Sequence, residues 1–391
     1  MQRWIGPAAL VAVGYMDPGN WATGIEAGSG YGYKLAWVIL LSSAAAILLQ
    51  ILAARLGIYG KKDLIGLGYR YFGPKGGKAL AITAFVAVIA TDLAEVLGFA
   101  LALRMLFGLP MEIGALLAVV ETVIVLSITA RRPLLLESLV GTLTLGVVGI
   151  FAYELLRLRP DPQAILRGFL PDLHLLSEGE ALYLALGLIG ATIMPHNLYL
   201  HSAWIRQHKL APRQIIWDTA LHLTIAFFVN ISLLLVAASL RHVPSAESRW
   251  GIQEAYLLFE PVVGKAAQIA FAFALLISGY NATLTSTLTG QIVLEYLIPQ
   301  RIPTFWRGIL VRSLSLIPAL LALWLLGESY TSTLLVLSQV ILSLQLPFVL
   351  LPMIYFLRHL PEAALHPIAT HLTYVISLGI VGLNMYLLFA H

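Results

Sequence analysis

Cysteine is absent from all 391 residues. That absence excludes disulfides, thiolate metal ligands and thiol catalysis together, so any soft ligand must be a methionine. Charge is scarce too: 11% of residues are Asp, Glu, Lys or Arg, where a soluble globular domain carries roughly a quarter. With 59% hydrophobic residues and a mean hydropathy of +0.86, the chain reads as an integral membrane protein without room for a separate soluble domain. Neither a His-Glu-x-x-His pattern nor a Gly-x-Ser-x-Gly elbow occurs, so an intramembrane enzyme is not expected. No cleavable signal is expected either, because the first apolar stretch runs on into charged and turn residues. The net charge of +4 does not point to nucleic acid. Its Lys and Arg residues sit in short loops between apolar stretches, the pattern of lipid topology.

What is present is a series of apolar stretches of spanning length, at approximately 4–28, 35–59, 78–107, 111–130, 134–157, 180–206, 213–240, 262–288, 305–327, 331–357 and 368–390. Eleven crossings put the termini on opposite sides. The alternate loops differ in positive charge by about two to one. Arg3, Arg55, Lys61, Lys62, Arg132, Lys209, Arg301, Arg307 and Arg312 are among the residues counted to the richer side, and Lys34, Arg104, Arg249 and Lys265 among those opposite. This places the N-terminus in the cytoplasm and the C-terminus outside.

Asp17-Pro18-Gly19-Asn20 in the first stretch and Met194-Pro195-His196-Asn197 in the sixth both read x-Pro-x-Asn. Five crossings separate them, and an odd number inverts the second copy. The expected fold is therefore an all-α bundle forming a single transporter domain over 1–391. It comprises a five-plus-five inverted repeat (about 1–158 and 180–357), discontinuous helices 1 and 6, and an extra helix at about 368–390.

Proline removes a backbone donor and clashes with the carbonyl four residues back, and Gly19 adds freedom beside Pro18. In hydrocarbon an unwound segment survives only where protein or a polar cavity receives its carbonyls and amides. A lone break would be a simple kink, but two matching breaks that carry a carboxylate and carboxamides imply a buried polar site. An isolated charge at the position of Asp17 costs at least about 2.5 kcal/mol, so something must compensate it. Asn20 and the freed carbonyl of Gly14 supply further hard oxygens, a set that suits Na⁺, Mg²⁺, Ca²⁺ or Mn²⁺. The thioether of Met194 adds little for the hard ions and favours polarizable transition metals. Ala191, one turn before the second break, is expected to offer another freed carbonyl.

Asp92 and Glu95 are spaced to share one face of an otherwise apolar helix. Two buried acids so close repel unless one holds a proton or a cation lies nearby, and either case makes a proton relay. His196 and His201 could each be a ligand, a proton carrier or a donor to a backbone carbonyl. Asn230 is a candidate supporting partner of the site.

The stretches Met16-Asp17-Pro18-Gly19-Asn20-Trp21-Ala22-Thr23 and Met194-Pro195-His196-Asn197-Leu198-Tyr199-Leu200-His201-Ser202 resemble the two signature motifs of the Nramp transporters. The similarity continues through Ala90-Thr91-Asp92-Leu93-Ala94-Glu95 and Leu337-Ser338-Gln339-Val340-Ile341-Leu342. The resemblance implies a LeuT-type fold and proton-coupled import of Mn²⁺, Fe²⁺ and similar ions by alternating access. The protein would sit in the plasma (inner) membrane, with no cofactor and a monomer as the expected unit. It also implies a metal held by Asp17, Asn20, Met194, the carbonyls of Gly14 and Ala191, and Gln339 once occluded. Protons would pass from Asp17 by way of Asp92 and Glu95, with Arg312 as cationic partner and His196 tuning entry, while His201 and Asn230 support the ligands. Two departures bear on coupling. Phe85 stands where family members often carry another acid, and His208 where they often carry a basic residue at the end of helix six. The competing reading is an amino-acid or other small-solute carrier of the same fold, which the negative charge of Asp17 disfavours.

Overall fold

The computed structural model describes residues 6–131, 133–208, 210–241, 250–298 and 302–390, with the side chains of 128–140 and 390 excluded. Arg3, Arg132, Lys209, Arg249 and Arg301 of the loop-charge tally lie outside the described residues, as do the first residues of the stretch at 4–28. The regular structure among the described residues is helical. It runs α1 (Pro7–Gly14), α2 (Pro18–Tyr31), α3 (Ala36–Gly60), α4 (Leu64–Phe107), α5 (Met111–Arg131), α6 (Pro133–Leu158), α7 (Pro162–Gly168) and α8 (Gly179–Ile193). It continues through α9 (Pro195–Trp204), α10 (Pro212–Leu240), α11 (Ile252–Val262), α12 (Lys265–Leu297), α13 (Thr304–Leu326), α14 (Thr331–His359) and α15 (Pro367–Ala390).

Among the described residues nine helical stretches are long and apolar enough to cross a membrane. The stretch at 4–28 is divided between α1 and α2, with 8 and 14 residues, so neither spans alone. α5 occupies the stretch at 111–130, and Leu116, Val120 and Ile124 form an exposed apolar stripe one turn apart along it. Such a stripe suits lipid rather than water.

Two boundaries and two short helices differ from the hydropathy reading. α4 begins at Leu64 rather than 78, capped by Asp63, whose Oδ1 accepts the Gly66 N–H at 2.9 Å. Hydropathy missed this turn because Tyr69, Arg70 and Tyr71 interrupt it. The chain bends at Gly73 (φ 72°, ψ −175°), a backbone conformation that glycine adopts without a Cβ penalty, and Pro74 follows. α12 runs on to Leu297 instead of stopping at 288, since Thr289, Gln291 and Glu295 lower hydropathy without breaking helical hydrogen bonding. α7 and α11 are short helices between spans that periodicity did not mark.

Trp21 of α2 is fully buried at the centre of the bundle, its ring 5.0 Å from Phe151 of α6 and 5.2 Å from Phe271 of α12. The large aromatic contact fixes the second half of the broken helix against its surroundings. α15 is peripheral. It docks on α14 through Asn384, which accepts from Ser343 Oγ and donates to the Ser343 carbonyl, both at 3.1 Å. Leu372, Val375, Leu378 and Phe389 of α15 stay exposed.

Candidate functional site

The first break can be followed group by group. The carbonyl of Gly14 would be bonded by the N–H four residues on, but that residue is Pro18, which has none. Asn20 Nδ2 (2.6 Å) and Asn230 Nδ2 (2.9 Å) both donate to the Tyr15 carbonyl. Ser278 Oγ donates to the Met16 carbonyl, and the Trp21 N–H to that of Asp17. The interruption is thus held by side chains from α10 and α12, as irregular backbone at membrane depth requires. Because Asn20 and Asn230 spend their amide hydrogens on Tyr15, the carboxamide oxygens are the ends left over. Both are buried without a partner.

Asp17 divides its work. Oδ1 accepts the Asn20 N–H at 2.7 Å and so caps α2, while Oδ2 is buried without a hydrogen-bond partner.

The second break repeats the device. Ala191's carbonyl faces Pro195 four residues on, again without an N–H, and Met194 lies outside helical geometry at φ 5°, ψ 102°. The Met194 carbonyl accepts the Asn197 N–H, and its sulfur accepts Asn197 Nδ2 at 3.4 Å. Met194 is fully buried. The two breaks meet directly, since a Cβ on Gly14 would lie 2.6–2.9 Å from Asn197 Nδ2, Thr285 Oγ1 and Asn197 Oδ1.

Gln339 of α14 is pressed between the two broken helices. A Cβ on Gly19 would overlap its Nε2, and one on Gly190 would overlap its backbone carbonyl. Its Nε2 donates to Ser338 Oγ at 3.1 Å, and Oε1 is buried without a partner. These two overlaps predict different outcomes. Gly190→Ala must displace α14 and is expected to destabilise the fold by about 1–3 kcal/mol, seen as a lower midpoint in detergent thermal denaturation. In Gly19→Ala only the end of a rotatable amide has to move, so the midpoint is expected to hold. Equal midpoints for the two variants would contradict this placement of Gln339.

His196 bridges the breaks to α4. Thr91 Oγ1 lies 3.1 Å from the Ala87 carbonyl and 2.9 Å from His196 Nδ1. With its single proton given to Ala87, Thr91 must accept from His196, which leaves Nε2 as the imidazole's free acceptor end. Nε2 is buried and unpartnered. His201 lies elsewhere, at the end where α1 begins: its Nδ1 is 3.0 Å from Gln50 Oε1, and Gln50 Nε2 donates to the Tyr15 hydroxyl at 2.7 Å. It therefore reaches the first break only through Gln50 and Tyr15.

Arg312 was counted with the loop cations, but the structure buries it completely within α13, since it is fixed by acids rather than by lipid headgroups. Its Nη1 lies 2.6 Å from Asp92 Oδ1 and 3.3 Å from Glu95 Oε2. Ser286 Oγ lies 2.9 Å from Asp92 Oδ1 and 2.6 Å from Glu95 Oε2. One hydroxyl proton cannot serve both contacts, so Ser286 donates to one of the two carboxylates at a time. Sequence reasoning missed Glu121 on α5, whose Oε2 accepts from Arg312 Nη2 at 3.0 Å and lies 3.2 Å from Thr283 Oγ1, which is also 3.0 Å from the Gly279 carbonyl. The signal was available, since an acid in an apolar span is expensive wherever it stands. Phe85, at the position noted for its missing acid, packs partly buried against the apolar core.

Asp17, Met194, His196 and Gln339 are all wholly buried, so the site is closed at both ends. At one end Ser29 Oγ donates to the Trp250 carbonyl at 2.8 Å. At the other, the Ala8 N–H donates to Asp218 Oδ2 at 3.0 Å, and Asp63 Oδ2 accepts from the Tyr296 hydroxyl at 2.8 Å.

With this geometry in view, the chain matches the family model described as natural resistance-associated macrophage protein-like over residues 8–390. It belongs to the Nramp family. Relatives named divalent metal cation transporter MntH include one from Nostoc, 42% identical over 99% of this chain and 91% of its own length. Another, from Xanthomonas campestris, is 42% identical over 98% and 90%. Among solved structures, a manganese transporter of Eremococcus coleocola is similar with a TM-score of 0.77 and 29% identity, covering 98% of this chain and 93% of that one. A nucleobase-cation symporter, Mhp1, at 14% identity and TM-score 0.62, shares the fold alone, as does the amino-acid-bound MhsT at 14% and 0.63. The chain is thus a multi-pass α-helical member of a transporter family, with broken helices at matching places in its two halves.

Proposed function

We propose that the chain imports divalent transition-metal ions, Mn²⁺ or Fe²⁺ by preference, coupled to proton entry by alternating access. One observation carries the reading. Asp17 Oδ2, Asn20 Oδ1 and Gln339 Oε1 are buried without partners, and the same two breaks carry a buried thioether and two carbonyls whose usual donors are prolines. Buried polar atoms are ordinarily satisfied, and in this reading a cation is what satisfies them. The ligands in this reading are Asp17, Asn20, Met194, the carbonyls of Gly14 and Ala191, and Gln339. Asn230 steadies the first break and His201 supports it through Gln50.

A single carboxylate suits cargo better than a resident cofactor, because a transported ion must also leave. When the ion arrives, Asp17 gives up any proton it carries. His196, Asp92 and Glu95 offer that proton a place away from the metal, with the Thr91 hydroxyl between His196 and α4 and Arg312 holding the two acids.

Opening towards one end requires Ser29 and Trp250 to part, and towards the other requires α1 to leave Asp218. A cavity of about 300 Å³ lies beside α1, lined by Pro7, Leu10, Val13, Leu145 and His222, and gives α1 room to swing. We place this second end in the cytoplasm, with the C-terminus outside, in the plasma membrane. The 1–391 chain would work as one monomeric unit of two inverted repeats plus α15. An amino-acid cargo is disfavoured by the carboxylate of Asp17.

The test is Mn²⁺ uptake into proteoliposomes holding the full chain. An inside-alkaline gradient of one pH unit, worth about 1.4 kcal/mol per proton, is expected to raise the initial rate several fold. A rate indifferent to that gradient removes proton coupling and leaves metal transport standing, whereas no Mn²⁺ uptake at all removes both.

A further inference from the structure

We propose that Glu121 is a third proton-carrying carboxylate, lying beyond Asp92 and Glu95 on the route by which protons leave towards the end of the bundle where α1 begins. The proposal rests on the proton-coupling reading above. Three acids share one guanidinium: Asp92 and Glu95 from α4 on Nη1, and Glu121 from α5 on Nη2. Arginine stays charged, so with every carboxyl ionised this buried cluster would carry two negative charges. Protons relieve that cost, and three carboxylates around one fixed cation exchange them among near-equivalent places. The other titratable group beside Glu121 is Tyr280, one turn from Thr283 on α12.

The position of Glu121 makes it the way out rather than a bystander. Oε2 is held by Arg312 and Thr283, but Oε1 is buried without a partner. One to two turns further along α5 and α12, and towards the start of α13, lies a cavity of about 310 Å³ lined by Leu126, Gln291, Glu295 and Arg307. Between cluster and cavity stands Gly308, where a Cβ would lie 2.8–3.0 Å from Leu126, Gln291 and Thr287 atoms. The transfer balances. A carboxyl of Asp92 or Glu95 loses its proton and becomes a carboxylate, a Glu121 oxygen gains it, and Glu121 later releases it to water in the cavity while Arg312 keeps its charge. The hydroxyls of Ser286 and Thr283, one turn apart on α12, stand between donor and acceptor.

The test measures Mn²⁺ entry and lumenal acidification together in proteoliposomes, for wild type, Glu121→Gln and Glu121→Asp. The ratio of protons to Mn²⁺ is expected to fall at least about fivefold in Glu121→Gln and to recover in Glu121→Asp, because only the latter keeps a titratable group. A wild-type ratio in Glu121→Gln overturns the proposal even if its melting temperature drops, since a merely structural ion pair would lower stability and leave the ratio alone. If Glu121→Gln does not fold, Thr283→Val decides: a reduced ratio supports the route, and a wild-type ratio overturns it. Wild type that takes up Mn²⁺ without acidification defeats the proton-coupling reading itself, which is a separate result.

Discussion

Asp17→Ala is expected to lower Mn²⁺ uptake at least about 100-fold, the equivalent of roughly 2.8 kcal/mol at 1.4 kcal/mol per decade. Two losses contribute. Oδ2 is the one carboxylate oxygen at the breaks that is buried and free, and a divalent ion surrounded only by amides, carbonyls and a thioether keeps its full charge in a low-dielectric interior. Oδ1 caps α2 through the Asn20 N–H at 2.7 Å, and loss of a cap costs about 1 kcal/mol of helix stability. Asp17→Asn separates the two, because asparagine caps a helix as well as aspartate does. The expected result is that Asp17→Asn folds with the wild-type thermal midpoint and still transports almost nothing. If it transported at half the wild-type rate, the acid would be a cap alone and the ligand reading would fail.

Asp17 and Met194 could be found from sequence because proline punctuates a helix wherever it occurs, and because hydrocarbon makes a polar residue costly at any depth. The same two rules gave the two breaks and their equivalence. What they could not give is who satisfies the freed groups. Tyr15 receives Asn20 from five residues on, but also Asn230, and Met16 receives Ser278; these last two partners are far from the break in the chain and share no local motif with it. Gln339 came forward only by resemblance, and its seat against Gly19 and Gly190 depends on how closely three helices approach. Arg312 was read in two ways: the resemblance named it as the cationic partner of Asp92 and Glu95, which the ion pairs match, and the loop count placed it wrongly. Counting charges by loop treats every cation as a topology signal, whereas this one lies inside the bundle between acids on α4 and α5. Glu121 was passed over because attention went to the acids spaced along a single helix, and pairing between helices leaves no trace in spacing.

Hydropathy locates a span well where a helix is apolar throughout, and falls short at α4 and α12, where polar residues continue the helix. In α12 those polar residues, Gln291 and Glu295, line the cavity beside the acid cluster.

Met194→Ala is expected to reduce the preference for Mn²⁺ over Ca²⁺ at least about tenfold, or 1.4 kcal/mol, through a gain in Ca²⁺ competition as much as a loss of Mn²⁺ uptake. The hard oxygens of Asp17 and Asn20 accept either ion, and calcium takes six to eight oxygens in flexible geometry. A thioether contributes little to Ca²⁺ and more to a polarizable transition metal, so it discriminates through the sulfur itself. Truncating a buried methionine also leaves a cavity and costs about 2–5 kcal/mol of stability, which would confuse a simple flux measurement. Met194→Leu serves as the control, since it conserves volume and costs under about 1.5 kcal/mol, while the Asn197 amide still loses the sulfur it reaches at 3.4 Å. Competition of Ca²⁺ against Mn²⁺ uptake is the decisive readout for both variants. If the sulfur selects, both admit Ca²⁺ alike. If Met194 only fills space beside Pro195, Met194→Leu keeps the wild-type preference, and the selection must then lie with the oxygens of Asp17, Asn20 and Gln339.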